Sequence, residues 1–140
     1  MWIIDKRIIS SVCYYPHPDL HKGELTINEN GNVSPGCSID LTGSITIGKY
    51  CMIGEGTRIL THDHFHYGRE PLLLLQERVG VKWQDKVIQD DVWLHSCIVL
   101  YQVTLIPTGT VVGAGTVLSH NPESPYGIYV GNPARRIGER

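Results

Sequence analysis

The sequence predicts an all-β chain wound as a coil of short parallel strands, with one long excursion thrown out of the coil. Three observations predict it. Aliphatic residues recur six apart at Ile88, Leu94, Leu100, Ile106, Val112 and Leu118. β-Branched residues stand two places before five of them, at Val92, Ile98, Thr104, Thr110 and Thr116. The ladder breaks between about His62 and Lys86.

Strict six-residue steps drift around a helical surface instead of staying on one face, which argues against helix. In a strand, positions two apart point the same way, so both sets of residues face one interior. Three strands per turn bury such a ladder, stacking Ile88 under Ile106, Leu94 under Val112 and Leu100 under Leu118 at about 4.8 Å per layer. The same ladder is present earlier at Ile47, Ile53 and Ile59, with Cys51 and Thr57 two places before the last two. Farther upstream Ile27, Val33, Ile39 and Ile45 keep the spacing but are displaced by two from the later register, which calls for a bulge or a capping turn.

At 140 residues, 41% hydrophobic and 19% charged, the chain fits one compact domain. Its expected parts are an N-terminal cap over 1–26, first coils over 27–61, an extruded loop over 62–86, later coils over 87–120 and a C-terminal segment over 121–140. A break as long as 62–86 in a repeat maps to a functional face. Leu72-Leu73-Leu74-Leu75 is too apolar for a free loop, so it is expected to pack on the coil or on a neighbouring subunit.

Composition excludes several functions. Twelve basic and 14 acidic residues give a net charge of -2 with no basic stripe, which argues against nucleic acid as a partner. The start, Met1-Trp2-Ile3-Ile4-Asp5-Lys6-Arg7, reads as no signal peptide, and no run approaches membrane-spanning length. Cys13, Cys37, Cys51 and Cys97 are widely spaced without a C-x-x-C pair, the pattern of reduced thiols in a cytoplasmic protein, not of a disulfide frame or zinc site.

Three motifs in order carry a resemblance: Asp90-Asp91-Val92-Trp93-Leu94-His95-Ser96, then Val111-Val112-Gly113-Ala114-Gly115-Thr116-Val117, then Gly131-Asn132-Pro133-Ala134-Arg135. Over roughly Ile45 to Ile137 the chain resembles the hexapeptide-repeat acetyltransferases, a group that includes galactoside, maltose, xenobiotic and polysaccharide O-acetyltransferases. The resemblance implies a left-handed β-helix, a hand that spacing does not reveal because parallel crossovers are ordinarily right-handed. It also implies acetyl-CoA as acyl donor, no metal, and a homotrimer whose sites lie in the clefts between adjacent prisms. The chain departs from the family where Gly usually follows the aliphatic residue, having Gln89, His95, Tyr101, Pro107 and Ser119. Ser119-His120-Asn121 stands where the family has Thr-Lys-Asp, so a lysine for a CoA phosphate is missing.

Acyl transfer from a thioester needs a base for the acceptor's proton and an acid for the leaving thiolate, and one histidine serves as both. In Thr61-His62-Asp63-His64-Phe65-His66 the resemblance puts the catalytic histidine at His64. His62 and His66 share its side of an extended segment and stay open as partners in the role, as acceptor-site residues or as loop surface. The resemblance further implies Trp93 as a wall of the acceptor cleft and Ser96, Ala114, Ser119 and Arg135 as CoA contacts, Arg135 and Arg136 lying in what resembles a C-terminal hook over the CoA nucleotide. Each also has a plain structural reading, as corner aromatic, turn serine, small corner residue or tail arginine. The expected function is acetyl transfer to a hydroxyl, or an amine, of a sugar, polysaccharide precursor or small molecule. The alternatives are a γ-carbonic-anhydrase-like zinc enzyme, whose ligands would have to converge from successive coils, and a non-catalytic scaffold.

Overall fold

The computed structural model describes residues 23–140 and the backbone of Val12–Cys13; the expected cap, apart from its last residues, and the Cys13 thiol lie outside the described residues. After β1 (Val12–Cys13), the strands come in triplets: β2 (Leu25–Ile27), β3 (Asn32–Val33) and β4 (Ser38–Asp40), then β5 (Ile45–Ile47), β6 (Met52–Ile53) and β7 (Arg58–Ile59). An insertion follows, made of β8 (His62–His64), helix α1 (Leu72–Val79) and β9 (Val81–Trp83). The triplets then resume with β10 (Lys86–Ile88), β11 (Trp93–Leu94) and β12 (Ile98–Val99), and with β13 (Leu105–Ile106), β14 (Val111–Val112) and β15 (Val117–Leu118). β16 (Gly127–Val130) and β17 (Arg135–Glu139) end the chain.

Each strand of a triplet joins a different sheet. Sheet A runs β1-β4-β7-β12-β15, sheet B β13-β10-β5-β2, and sheet C β17-β16-β14-β11-β6-β3. The pairs within these sheets are parallel except β16 with β17. This is the coil that the ladder predicts, because a two- or three-residue strand is stable only when it is paired with the layers above and below. The interior is a column of fully buried side chains, Ile47, Ile53, Ile59, Ile88, Leu94, Ile106, Val112 and Leu118 among them. Ile88 lies in register with Ile106, and Leu94 with Val112.

Leu100 is not part of that column. Val99, fully buried, pairs with both Ile59 and Leu118, while Leu100 is half-buried. Likewise Cys97 and Val103 take the interior places expected for Ile98 and Thr104. The corner after Leu94 is one residue short, closed by Ser96 at φ 45°, and the next is one residue long. Upstream, the displacement by two is real: Ile27 pairs with Ile47, Val33 with Ile53 and Ile39 with Ile59. The two extra residues lie between Ile39 and Ile45, so Ile45 and Ile47 both point inward.

The excursion is an ordered hairpin and not an irregular loop. β8 and β9 pair antiparallel, His62 opposite Trp83 and His64 opposite Val81, with α1 between them. Pro71 begins the helix and Gly80, at φ 74°, ends it. Of the four leucines only Leu75 is buried, whereas Leu72, Leu73 and Leu74 are exposed. At the neck Gln84 N–H donates to the Thr61 carbonyl (2.9 Å), and Gly43 lies against it. A Cβ on Gly43 would come within 2.4 Å of the Gln84 oxygen and 2.9 Å of its carbonyl carbon, and neither can move without opening the neck. Gly43→Ala is therefore expected to cost about 2 kcal/mol or more, read as a lower urea midpoint. Gly138→Ala, where a Cβ meets nothing within 4 Å, should leave the midpoint unchanged.

Candidate active site

The corner from sheet A to sheet B carries the densest polar network among the described residues, and it is the corner with the two extra residues. Asp40, the last residue of β4, is 4% exposed. Its Oδ1 accepts from Thr42 N–H (3.0 Å) and Thr42 Oγ1–H (2.7 Å). Its Oδ2 accepts from Thr61 N–H (2.8 Å), His62 N–H (3.0 Å) and the His62 ring at Nδ1 (2.5 Å). The Thr61 hydroxyl fastens the same knot, accepting from Gly43 N–H (2.9 Å) and donating to the Asp40 carbonyl (2.9 Å).

Burial alone would push the Asp40 carboxyl up, but the hydrogen bonds from His62, Thr42 and Thr61 outweigh it and hold the group well below the ordinary carboxylate range. An ionised carboxylate only accepts hydrogen bonds, so the proton in the Asp40–His62 contact sits on Nδ1 and Nε2 of a neutral His62 is the basic nitrogen. A buried carboxylate that fixes an imidazole's tautomer and heading is the orienting half of a general-base pair.

His64, the residue that the motif position favours, stands two residues farther along β8. Its ring meets that of His62 edge-on with centroids 5.4 Å apart, and its backbone N–H donates to Asp63 Oδ1 (2.9 Å). The carboxylate thus belongs to His62 and not to His64. His66 lies beyond the strand, with Nδ1 3.4 Å from the His64 carbonyl.

The hairpin is braced from outside. Lys82 of β9 pairs with Asp63 (3.4 Å) and lies 5.9 Å from the Phe65 ring centroid and 5.6 Å from that of Tyr101.

The residues expected to contact CoA do not gather around His62 within one chain. Ser96 and Ala114 are on the corner from sheet C to sheet A, across sheet A from the histidines. Ser96 spends its hydroxyl on the Glu55 carbonyl (2.5 Å), and Ala114 is exposed between Gly113 and Gly115, the latter with open space where a Cβ would be. Ser119 is on the histidine corner, its Oγ 3.3 Å from His120 Nδ1. Trp93 faces outward on sheet C in register with Met52 and Val111, its ring stacked on that of His95 at 5.1 Å. Arg135 opens β17 and is exposed, and Arg136 pairs with Glu139 (2.8 Å).

His95, the one ladder-side histidine on a later coil, is therefore on another sheet from His62 and His64 and completes no three-histidine cluster with them. Among the described residues no group of three or more His, Cys, Asp or Glu is arranged to hold a metal ion, and no helix is long and apolar enough to cross a membrane.

Sequence reasoning missed Asp40, Thr42 and Thr61. A signal was present: Asp40-Leu41-Thr42 has the spacing of an Asx turn, in which the carboxylate takes the N–H two residues on, and it falls where the early ladder slips by two.

No family model matches the chain. A chain of Lysinibacillus sphaericus described as "Probable macrolide acetyltransferase" is 29% identical over 110 residues, covering 69% of this chain and 60% of that one. A hexapeptide-repeat acetyltransferase of Vibrio cholerae, solved with acetyl coenzyme A, superimposes with a TM-score of 0.72 at 23% identity, covering 92% of this chain and 70% of that one. The polysialic acid O-acetyltransferase OatWY gives 0.66 at 28% identity, over 84% and 54%. The chain thus spans three fifths of the length of the curated relative named here. In fold and in sequence it is similar to the hexapeptide-repeat acetyltransferases.

Proposed function

We propose that the chain is an acetyl-CoA-dependent acyltransferase that uses the His62 imidazole, oriented by Asp40, as its general base. The observation that carries this reading is the Asp40–His62 contact of 2.5 Å at the root of the hairpin. Acetyl coenzyme A bound to the Vibrio cholerae neighbour supports the choice of donor. As part of the same reading the coil is left-handed and the active form is a cytoplasmic homotrimer. Because Ser96 and Ala114 stand on a different corner from His62, a complete site would combine the His62 corner of one subunit with the Ser96 and Ala114 corner of the next.

The chemistry asked of the chain is short. Nε2 of His62 takes the proton of the acceptor hydroxyl or amine as its oxygen or nitrogen bonds to the thioester carbonyl carbon, and the imidazolium gains a charge that Asp40 stabilises without itself taking the proton. As the carbon–sulfur bond breaks, the same Nε2 returns the proton to the departing sulfur, so no acyl-enzyme is needed. His64 and the aromatics Phe65 and Tyr67 that follow it would border the acceptor side, and Trp93, being on sheet C, would do so from the neighbouring subunit. Ser96, Ala114, Ser119 and Arg135 are the residues of this chain that would hold the donor, with Arg135 for phosphate. The acceptor belongs to the class of sugar, polysaccharide-precursor or small-molecule hydroxyls, with amines second.

The test is a transfer screen with acetyl-CoA over sugars, nucleotide-sugars and amines, read by free thiol release, alongside thermal shift with CoA. Acceptor-dependent thiol release and a raised melting midpoint are expected. Absence of both would overturn the reading and favour a scaffold.

A further inference from the structure

A second charged group lies buried beside the first, and the chemistry above does not use it. Lys86 opens β10, stacked in register with Ile45 and, through it, with Leu25. A ladder position of this kind ordinarily takes an aliphatic or β-branched side chain, yet Lys86 is 3% exposed. Its ammonium donates to the carbonyls of Leu100 (2.9 Å), Tyr101 (3.0 Å) and Val103. Those three carbonyls form the corner that is one residue too long, so the ammonium is what gathers the irregular loop.

The location of that corner matters more than its shape. Tyr101 projects from it to Lys82, which in turn pairs with Asp63 between the two histidines. On the other side, Lys86 N–H donates to the Ser44 carbonyl (2.8 Å) at the corner that Asp40 opens, and the Asp40 charge offsets part of the cost that burial puts on the ammonium, although no ion pair joins them. Burying an ammonium is costly unless it is hydrogen-bonded and its charge is balanced. A methionine would fill the same column without that cost. A charge kept at a cost, next to the carboxylate that orients the base and under the corner that braces the hairpin, has a task there.

We propose that Lys86 is a positioning residue for the Asp40–His62 pair: its buried ammonium fixes the 100–103 corner against the hairpin and supplies the positive charge behind the Asp40 carboxylate. Burial pushes the Lys86 ammonium down to about 8, and Asp40 partly restores it, so the group is cationic at neutral pH. The titratable groups next to it are Asp40 on β4, Asp85 adjacent in the chain and turned to Ser44 N–H (2.8 Å), and Tyr101 on the corner; Lys82 is reached through the Tyr101 ring and His62 through Asp40.

The inference rests on the acyltransferase reading for its kinetic arm and is independent of it for its spectroscopic one. Lys86→Met and Lys86→Gln are compared with the wild type, Met keeping the bulk and Gln keeping a donor without the charge. In acetyl-CoA transfer, kcat is expected to fall at least tenfold in both variants with KM for acetyl-CoA within twofold. The acid limb of kcat/KM should move to higher pH, because removing a neighbouring positive charge makes the imidazole easier to protonate. In parallel, the pH midpoint of the His62 imidazole signals, followed by NMR, should move up in both variants, and Lys86→Arg should restore it.

Unchanged kcat and an unchanged His62 midpoint in a folded variant would overturn the proposal. So would failure of both the Met and Gln variants to fold, which would make Lys86 a residue of the fold alone. If the wild type transfers no acetyl group, the acyltransferase reading falls while the NMR midpoint still decides for or against Lys86.

Discussion

His62→Ala should abolish most turnover, lowering kcat for acetyl transfer by about 10²–10⁴, while the variant stays folded and retains its affinity for CoA. The size follows from what is removed. On the proposed reading the base goes, and Asp40, which accepts three of its five hydrogen bonds from Thr42 and Thr61, stays anchored. His64→Ala should cost less than tenfold, because its ring bears edge-on against His62 and the carboxylate is not its partner. Single-turnover thiol release separates the two. If the large loss falls on His64→Ala and His62→Ala keeps near-normal turnover, the base is His64 and the Asp40 contact is structural.

The second large effect is expected at Asp40. In Asp40→Asn the shape is preserved, but one side of the group becomes an NH₂ that must face donors: either Thr42 N–H and its hydroxyl, or Thr61 N–H, His62 N–H and the His62 ring. Either choice leaves buried donors unsatisfied, a loss of about 3 kcal/mol in folding stability. It also releases the imidazole's heading and tautomer, so kcat should fall by about 10² or more.

The stability difference has a definite pH dependence. The native Asp40 carboxyl lies below its ordinary value of 3.8, so the folded state binds this proton less readily than the unfolded one. The stabilisation is complete above the ordinary value and is lost as the pH falls through it toward the lower native one. Urea titrations of wild type and Asp40→Asn should therefore differ fully at pH 6 and converge in acid. A gap that is constant from pH 6 to pH 3 would mean that the carboxylate charge does not contribute.

The sequence made the coil legible because its signal is periodic and local. Ile47, Ile53, Ile59, Ile88, Leu94, Ile106, Val112 and Leu118 occupy the interior places that the six-residue step assigns them. The error at Leu100 has a simple origin. From Leu94 to Val99 is five residues and from Val99 to Ile106 is seven. A short corner followed by a long one restores the phase by Ile106, so the pattern on either side shows no slip.

The candidate site was less legible. Strand parity puts His62 and His64 on one side of β8 and cannot rank them. The residue that does so, Asp40, is 22 positions away in sequence and meets His62 only because the coil returns one layer higher. Lys86 could have been noticed as a charge standing two places before Ile88, where neighbouring rungs have uncharged residues such as Cys51, Thr57, Val92 and Thr110, but its carbonyl partners lie 14 to 17 residues on.

The neck of the excursion links these observations. β5 pairs directly with β10, as if the chain between Ile59 and Lys86 had never left, and the exit is closed by the Thr61–Gln84 bond. Whatever is spliced between those two residues inherits a ready-made scaffold and leaves the rungs untouched. Grafts of foreign hairpins at Thr61 and Gln84 should accordingly be tolerated by the coil, and on the acyltransferase reading a graft that returns a histidine to the Asp40 carboxylate would alter the hairpin's share of the acceptor side while leaving the base in place.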